Sequence, residues 1–193
     1  MLLIDYAMTP DSFYQQLGDL GSGDNIPPVE TWNPPLSGDM DLIVKNDGSW
    51  IHEGRTITRQ GLLRTFSRIL KREDDHYFLV TPAEKWRIQV ESAPFFIVSM
   101  QVENPGKLQV ITMASNTDNL ISLNAEHPLW VEYDSELNPT PYILVRQNLH
   151  GLISRNVYNE LCELVETVTT DSKTVWQIRS NNSVFLLGES TES

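Results

Sequence analysis

The sequence predicts an α+β fold of two related halves, each a mostly antiparallel sheet with one amphipathic helix. Short runs rich in β-branched and aromatic residues, bounded by Gly, Pro, Asn or Asp, recur between about residues 41 and 188 and are typical of strands. Two other segments repeat apolar residues at helical spacing, and each lies among such strands. With 40% hydrophobic and 21% charged residues, the chain also has the composition of a folded globular protein.

The first 25 residues are predicted to form a helix and a linker. Thr9 fits the N-cap and Pro10 the first turn of a short helix that ends before a group of glycines. The next segment, IPPVETWNPPLSGD, contains four prolines, which favour extended backbone and make it a strap or a linker. This strap carries Trp32 and Asn33. On a stiff backbone, Trp32 either offers its ring to a ligand or pins the segment to the core.

The first half, residues 26–92, is predicted to pair strands around one helix. Asn46-Asp47-Gly48 marks a hairpin turn, because Asn and Gly tolerate the positive φ that a tight turn requires. An amphipathic helix is predicted from Arg59 to Arg72. Its apolar stripe consists of Leu62, Leu63, Phe66, Ile69 and Leu70. A strand follows at YFLV, and a capping box of Thr81 and Glu84 favours a short helical turn before the strand RIQVE.

The second half, residues 93–188, is predicted to begin with strands at FFIVSMQVE, KLQVITMAS and LISLN, with a turn at Asn104-Pro105-Gly106. Further strands are predicted at EHPLWVEY and PYILVR. Ser154 then caps a helix. The apolar stripe of that helix consists of Val157, Tyr158, Leu161, Leu164 and Val165. A closing hairpin of VWQIRS and SVFLLG turns at Asn181-Asn182, and residues 189–193 form a tail.

Similar tripeptides introduce the two helices, and this favours a duplication. They are Ile57-Thr58-Arg59 and Ile153-Ser154-Arg155, and both halves contain the order strand, strand, helix, strand. The apolar stripes start one residue out of phase relative to these tripeptides, so the repeat in the sequence is weak.

The overall charge and the single cysteine narrow the class of protein. A formal net charge of -12 predicts repulsion of nucleic acids and anionic lipids, so neither general nucleic-acid binding nor membrane binding is expected. No apolar run is long enough to span a bilayer, and the first residues lack the pattern of a secretory signal peptide. Cys162 cannot form an internal disulfide, which fits a reducing compartment and a cytoplasmic location. Its place on a helical stripe predicts an inert core thiol.

The strongest local feature is a basic stretch between Arg55 and Arg72. It contains no Asp or Glu, whereas the rest of the chain has 8 basic and 26 acidic residues. At 100° per residue, the predicted helix turns its later basic residues away from the apolar stripe and toward solvent. These are Arg64, Arg68, Lys71 and Arg72. The same rotation turns Arg59 toward the protein interior.

A buried guanidinium needs an anionic or carbonyl partner, because it does not lose its proton. For Arg59 this partner is either an anionic ligand or an internal carboxylate, and the candidate carboxylates are Asp39, Asp41, Glu53 and Glu84. Arg146, at the end of a predicted strand, and Arg155, at the start of the second helix, are further candidate ligands for an anion.

The sequence contains no local catalytic motif. It lacks G-x-S-x-G, G-x-G-x-x-G after a strand, a phosphate loop and H-E-x-x-H. The four histidines lack metal-ligand spacing, so no metal, no other cofactor and no catalytic residue is predicted. An undescribed enzyme is nevertheless a third hypothesis, because catalytic groups can assemble from distant positions.

Several blocks of the sequence, taken together, resemble the bacterial domain-of-unknown-function family 1285. The blocks are TWNPPLSGDMD, GSWIHEG, ITRQGLLRTFSRILKREDDHYFLVTPAEKWRIQVESAPF, LNAEHPL and PYILVRQNLHGLISR, and the match covers most of the chain from about Ile26 to Gly188. The resemblance implies a duplicated core, a second half superficially like a pleckstrin-homology domain, and a ligand site between the halves. It also implies a nucleotide-like ligand and a role in signal transduction.

Nine polar positions of the sequence match the family. The positions that match the family are Trp32, Asn33, Glu53, Arg59, Thr81, Glu84, Lys85, Arg146 and Arg155. All of them except Thr81 are predicted to bind the ligand. The pair Trp86-Arg87 departs from the family, which tends toward small or apolar residues after the Glu-Lys pair.

The leading hypothesis is a ligand-binding or sensory protein that holds a nucleotide-like anionic small molecule between its halves. The alternative is a protein-protein interaction module, in which the pleckstrin-like half and the Trp32 strap hold a protein partner and no small molecule binds.

Overall fold

The computed structural model describes residues 26–170 and 173–191, and they adopt the α+β fold that the sequence predicts. The helix predicted from Thr9 lies outside the described residues. The chain divides into two compact units. The first unit comprises residues 26–45 and 49–91, and the second comprises residues 46–48 and 92–191. In the described part of the chain, each unit contains a mostly antiparallel six-stranded sheet and one α-helix.

The first unit begins with a 3-10 helix at Val29–Thr31. Its other elements are β1 (Leu36–Val44), β2 (Trp50–His52), β3 (Arg55–Thr56), α1 (Gln60–Arg68), β4 (Leu70–Glu73), β5 (His76–Val80) and β6 (Lys85–Val90). The strand order is β3-β2-β1-β6-β5-β4, with β1 and β6 parallel and the other pairs antiparallel. The predicted hairpin turn joins β1 to β2, and Gly48 has the positive φ of 81° that such a turn requires.

Helix α1 packs on the sheet through the apolar residues that the sequence identified. Phe66 is buried, and its ring centroid lies 6.2 Å from that of Trp50 on β2. The helix is shorter than predicted: it ends at Arg68, and Ile69 has a ψ of 10°. From Leu70 the chain forms β4 and pairs with β5. The predicted extension to Arg72 is wrong because cross-strand hydrogen bonds replace the last helical turn, and the local apolar spacing does not reveal this pairing.

The turn between β5 and β6 is not helical. Thr81 Oγ1 accepts hydrogen bonds from the backbone N–H groups of Ala83 at 3.3 Å and Glu84 at 3.0 Å. The N–H of Thr81 in turn donates to the carbonyl of Glu84 at 2.9 Å. These bonds close a β-hairpin, so the predicted helical turn is wrong, although Thr81 does accept from the backbone as a capping residue would.

The second unit contains a six-stranded sheet, a helix and a three-stranded sheet. Its elements are β7 (Phe95–Glu103), β8 (Val110–Ser115), β9 (Leu120–Ser122), β10 (Leu129–Tyr133), β11 (Pro139–Arg146), β12 (Leu149–Ile153), α2 (Arg155–Cys162), β13 (Glu166–Thr170), β14 (Lys173–Ser180) and β15 (Ser183–Thr191). The six-stranded sheet has the order β10-β11-β12-β7-β8-β9, with β12 and β7 parallel. The small sheet has the order β13-β14-β15 and is antiparallel.

Most predicted elements of the second unit are present. The predicted turns join β7 to β8 and β14 to β15, and Ser154 Oγ caps α2 by accepting from the N–H of Val157 at 3.5 Å. Strand β12 was not predicted, because Gly151 interrupts its run of apolar residues. The structure explains this glycine: a Cβ there would lie 3.0 Å from Ile97 Cδ1 on the neighbouring strand β7.

The two six-stranded sheets have the same topology. Numbered from its own first strand, each has the order 3-2-1-6-5-4, with strands 1 and 6 parallel at the centre. The helices are not equivalent, since α1 follows the third strand of its sheet and α2 follows the sixth. The similar tripeptides before the two helices therefore do not mark equivalent positions. Within the described residues, no helix is long and apolar enough to cross a membrane.

Candidate anion-binding site

The structure divides the basic stretch among several elements of the first unit. Arg55 on β3 and Arg64 on α1 are exposed, whereas Arg68 at the end of α1 and Arg72 on β4 are half-buried. Lys71, also on β4, is buried. The prediction that these side chains face solvent is thus confirmed for Arg64 and wrong for Lys71, because Lys71 belongs to a strand rather than to a helix.

Arg59 does not face the protein interior. It is the N-cap residue of α1, with an extended backbone (φ -77°, ψ 104°), and it is exposed. The prediction failed because a rotation of 100° per residue applies only inside a helix, and the helical conformation begins at Gln60.

The ammonium group of Lys71 lies beneath the proline-rich strap. Lys71 is 8% exposed, and its Nζ donates to the backbone carbonyl of Trp32 at 3.0 Å. The same Nζ lies 3.3 Å from Glu73 Oε1. Strand alternation places Lys71 and Glu73 on one side of β4, where the lysine reaches both the strap and the carboxylate.

A second lysine contacts the same carboxylate. Lys85 Nζ donates to Glu73 Oε2 at 2.8 Å, and the Lys85 side chain is only 14% exposed. The hydrogen bond from Lys85 is the main cause that lowers the pKa of Glu73 below its ordinary value of 4.5. Burial opposes this shift, and the contact with Lys71 adds to it. Glu73 is therefore a carboxylate at neutral pH, held between two cations.

An aromatic ring lies against the cations. Phe78 on β5 pairs with Lys71 on β4 and with Arg87 on β6, which places all three on one side of the sheet. Lys85 Nζ lies 5.1 Å and Arg87 Cζ 6.0 Å from the centroid of the Phe78 ring. Both distances are in the range of a cation–π contact. We refer to Lys71, Glu73, Phe78, Lys85 and Arg87 as the basic cluster.

Arg87 has hydrogen-bonding capacity that the protein does not use. Its Nη1 lies 3.5 Å from Asp39 Oδ1 on β1. Its Nε is buried and has no hydrogen-bond partner among the described residues. A buried donor without an acceptor is costly. The Arg87 side chain as a whole is 40% exposed, so its guanidinium can still donate to the oxygens of a bound anion.

The basic cluster has more cations and donors than acceptors. Three cations face two carboxylates, Glu73 and Asp39, together with the carbonyl of Trp32. An ammonium group carries three N–H donors and a guanidinium carries five. The cluster is thus suited to bind an anion with several oxygens, such as a phosphate or a carboxylate.

The structure brings some of the predicted site residues of the first unit to this cluster. Lys85 belongs to it, and Trp32, which is half-buried, contacts it through its carbonyl. Glu84 precedes Lys85 and accepts from the indole N–H of Trp86 at 3.3 Å. Asn33 and Glu53 are exposed, and Glu53 Oε1 lies 3.9 Å from His52 Nε2 on β2.

The unusual residue Trp86 also has a structural explanation. Its ring lies against Gly38 on β1, where a Cβ would be 3.2 Å from Trp86 Cζ3. The absence of a side chain at Gly38 therefore makes room for the indole on the parallel strand pair β1–β6. Arg87, the other residue that departs from the family pattern, supplies the unsatisfied donor of the cluster.

The two predicted site residues of the second unit lie on different elements. Arg146 is half-buried at the end of β11, and its guanidinium lies 5.2 Å from the centroid of the Phe95 ring. Arg155 is exposed at the first position of α2.

Cys162 is exposed rather than part of the core, so that prediction is wrong. The buried residues of α2 are Val157 and Leu161, which leaves Cys162 at the edge of the packed face. Partial burial raises the pKa of the thiol, and a hydrogen bond with Tyr158 opposes this shift.

A cavity of about 430 Å³ also opens in the first unit, at the end of β6 that is remote from Lys85. Its lining includes Lys45, His76, Gln89 and Glu91, with none of the residues of the basic cluster. Among the described residues, no group of three or more His, Cys, Asp or Glu side chains could hold a metal ion.

Sequence reasoning missed most of the basic cluster. Lys71 was assigned to the outer face of a helix, and Glu73, Phe78 and Arg87 were not considered as site residues. One signal was present: in KWRIQV, the polar residues Lys85, Arg87 and Gln89 alternate with apolar ones at strand spacing, whereas LKRE and HYFLV show no such alternation. Which of these strands are neighbours was not predictable from that signal.

Comparisons with known proteins agree with this two-unit architecture. A family model described as "Domain of unknown function (DUF1285), N-terminal domain" matches residues 27–93. A second, "Protein of unknown function (DUF1285), C-terminal domain", matches residues 94–187. No curated protein matches the chain.

Two crystal structures are similar to the chain. A DUF1285 family protein from Silicibacter pomeroyi DSS-3 is 36% identical, with a TM-score of 0.78 over 86% of this chain and 88% of the other. A DUF1285 family protein from Shewanella baltica OS155 is 25% identical, with a TM-score of 0.50 over 63% of this chain and 89% of the other.

Proposed function

The chain belongs to the DUF1285 family, whose function is unknown, and we propose a ligand for it from its structure. The proposed ligand is a nucleotide-like, phosphate-bearing small molecule that binds at the basic cluster of the first unit. The observation that carries the proposal is the pair of largely buried lysines, Lys71 and Lys85, that share the single carboxylate of Glu73. A cluster of this kind retains positive charge in a chain whose overall charge is -12.

The positive charge favours an anion on electrostatic grounds. Charges that are shielded from water interact more strongly than exposed ones, because the effective dielectric constant is lower. Arg87 adds a guanidinium, on a side chain that is 40% exposed, that can bind phosphate oxygens with two parallel hydrogen bonds. The phosphate is therefore expected near Lys85 and Arg87, which are two residues apart and lie on the same side of β6.

The aromatic residues of the region favour a nucleotide over a simple anion. Trp32 is half-buried on a strap stiffened by Pro34 and Pro35, and its carbonyl contacts Lys71. A pre-ordered indole loses little conformational entropy on binding a flat base. Such a site suits the ligand-binding or sensory role that the sequence led us to expect.

The test is thermal unfolding of the purified protein with a panel of ligands. The panel contains nucleoside mono-, di- and triphosphates, cyclic mononucleotides and inorganic pyrophosphate. A ligand at about 100 times its Kd should stabilise the folded protein by about 2.7 kcal/mol, which is about 5 to 10 °C in Tm for a chain of this size. Lys85→Met should abolish this shift.

Lys45→Met is the matched control. Lys45 is also a lysine paired with a glutamate, Glu91, in the first unit, but it lines the separate cavity rather than the basic cluster. We expect Lys45→Met to keep the ligand-induced shift. A shift that is lost in Lys45→Met and kept in Lys85→Met would place the ligand in the cavity and refute the proposed site. The absence of any shift with the whole panel would refute the proposed ligand class.

A further inference from the structure

An apolar groove lies in the second unit between β10 and β15. Its volume is about 370 Å³, and it is lined by Val131, Tyr133 and Leu137 on one side and by residues 186–189 on the other. A second cavity of about 260 Å³ shares Tyr133, Trp176, Leu187 and Gly188 with the first. We call the two together the Tyr133 groove.

The Tyr133 groove exposes several large apolar side chains. Leu137 is 77% exposed, and Tyr133, Leu186 and Trp176 are also exposed. Single exposed apolar residues are common on soluble proteins, but a group that lines one groove marks a surface that binds another molecule.

The backbone of Leu137 is held in an unfavourable conformation. Its φ is 63°, in the left-handed region, which costs a residue with a Cβ about 1 to 2 kcal/mol. Leucine is not a residue that favours this region, whereas glycine and asparagine are. A strained residue that keeps a bulky apolar side chain in solvent is a pointer to function.

The loop that carries Leu137 is pre-ordered by Asp134. The carboxylate of Asp134 accepts hydrogen bonds from the backbone N–H groups of Glu136 at 2.8 Å and Asn138 at 2.9 Å, and from the Asn138 side chain at 2.9 Å. These bonds lower the pKa of Asp134, with the Asn138 side chain as the main cause. A fixed loop presents Leu137 to a partner with little loss of entropy on binding.

Two strand edges border the groove. In the described residues, β10 ends the six-stranded sheet and β15 ends the three-stranded sheet, and the two strands contact each other without forming a backbone ladder. The hydroxyl of Tyr133 donates to the carbonyl of Leu187 at 2.5 Å, and Gly188 leaves room for the phenol, since a Cβ there would lie 2.9 Å from its oxygen. Where β10 and β15 do not contact each other, the backbone groups along their edges can bind an extended peptide by adding a strand.

The charge of the surrounding unit defines the chemistry of the partner. Residues 92–193 contain twelve Asp or Glu and five Lys or Arg, a difference of seven negative charges. Glu189 lines the groove and forms an ion pair with Lys173, whereas Asp134 and Glu136 of the Leu137 loop have no lysine or arginine among their hydrogen-bond partners in the described residues. An acidic surface attracts a basic partner and repels an acidic one.

We propose that the Tyr133 groove binds an extended segment of another protein in which apolar residues alternate with lysine or arginine. The apolar side chains occupy the groove, the basic side chains face the acidic rim, and the backbone pairs with an open strand edge. This inference does not depend on the proposed ligand of the first unit, because every residue that carries it lies in the second unit.

The test measures the binding of a fluorescently labelled peptide of alternating valine and lysine to the whole protein by fluorescence anisotropy. Leu137→Asn removes the apolar side chain and suits the positive φ, so folding should be preserved. We expect it to weaken binding about tenfold or more, which corresponds to a loss of at least 1.4 kcal/mol. The matched control is Leu120→Asn, because Leu120 on β9 is also 77% exposed but lies on the opposite edge of the sheet. It should bind as the wild type does.

Two altered peptides separate the contribution of charge from that of backbone pairing. Replacing lysine by glutamate should abolish binding if the acidic rim selects the partner, and prolines in the peptide should abolish it if the backbone pairs as a strand. The proposal is overturned if the valine-lysine peptide does not bind saturably, or if Leu137→Asn and Leu120→Asn bind it equally. It is also overturned if sedimentation shows a wild-type dimer that Leu137→Asn dissociates, because the occupant is then a second copy of this chain.

Discussion

The replacement Lys71→Met tests how the basic cluster stabilises the first unit. Methionine keeps most of the apolar stem of lysine but removes the ammonium group, and with it the contacts to the Trp32 carbonyl and to Glu73. The change therefore removes charge from the cluster with little change of packing volume.

Two opposing contributions determine how much Lys71→Met should change the free energy of unfolding. A hydrogen bond from a charged donor contributes about 1.5 to 3 kcal/mol, and the Trp32 carbonyl loses this partner in the variant. Glu73 keeps its 2.8 Å contact with Lys85 and is partly exposed, so the larger penalty of an orphaned buried charge does not apply. Removing an ammonium that is 8% exposed also relieves its desolvation cost. The net destabilisation should be about 2 kcal/mol, or about 4 to 8 °C in Tm.

The pH dependence of stability provides a second readout. The pKa of Glu73 is lower in the folded protein than its ordinary value of 4.5. Its contribution to stability is therefore fully present above the unfolded pKa and is lost as the pH falls through the folded pKa. Without Lys71, the pKa of Glu73 in the folded protein should rise toward its ordinary value. The free energy of unfolding should therefore decrease less steeply in Lys71→Met than in the wild type as the pH is lowered.

Urea unfolding at several pH values between about 3 and 7 measures both effects. Lys45→Met is the control, because Lys45 is 39% exposed and an ion pair at such a position contributes about 0.5 kcal/mol or less. Equal stabilities of Lys71→Met and Lys45→Met, with the same dependence on pH, would refute the view that Lys71 is a buried structural cation. A Lys71→Met variant that is more stable than the wild type would show that desolvation outweighs the hydrogen bonds.

Two further predictions concern the second unit. Because Cys162 is exposed, a thiol reagent should label it stoichiometrically in the native protein, and labelling only after unfolding would contradict the exposed position. Because the pKa of the thiol is raised, the labelling rate at pH 7 should be below that of a free cysteine and should rise with pH. Gly151→Ala should destabilise the protein by about 1 to 3 kcal/mol in urea unfolding, because the alanine Cβ would crowd Ile97 and Val145. An unchanged unfolding midpoint would show that β12 and its neighbours shift at no cost.

Some features of this fold depend on a few adjacent residues, and these were predictable. The turn residues Asn46-Asp47-Gly48 and Asn104-Pro105-Gly106 lie in β-strand connections, as predicted, because positive φ angles are a local property of such residues. Ser154 caps α2 for the same reason. The core of α1, including Leu62 and Phe66, followed from its spacing.

The candidate site was predictable only in part. Lys85 and Trp32 were identified through the family resemblance and lie at the basic cluster. Arg59 was assigned to the interior on helical phase, and this failed because the phase argument needs the first helical residue to be known to within one position.

The sequence by itself determined the class of fold, the two related halves, the main turns and the acidic character of the chain, because these depend on composition and on neighbours along the chain. Only the tertiary structure decided that Leu70–Glu73 leaves the helix to pair with β5, and this pairing buries Lys71 and places Glu73 between two lysines. The same holds for the Tyr133 groove, whose sides are more than 40 residues apart in sequence. Strand pairing joins residues that are distant along the chain, and its free energy depends on the contacts of the whole sheet rather than on any local pattern.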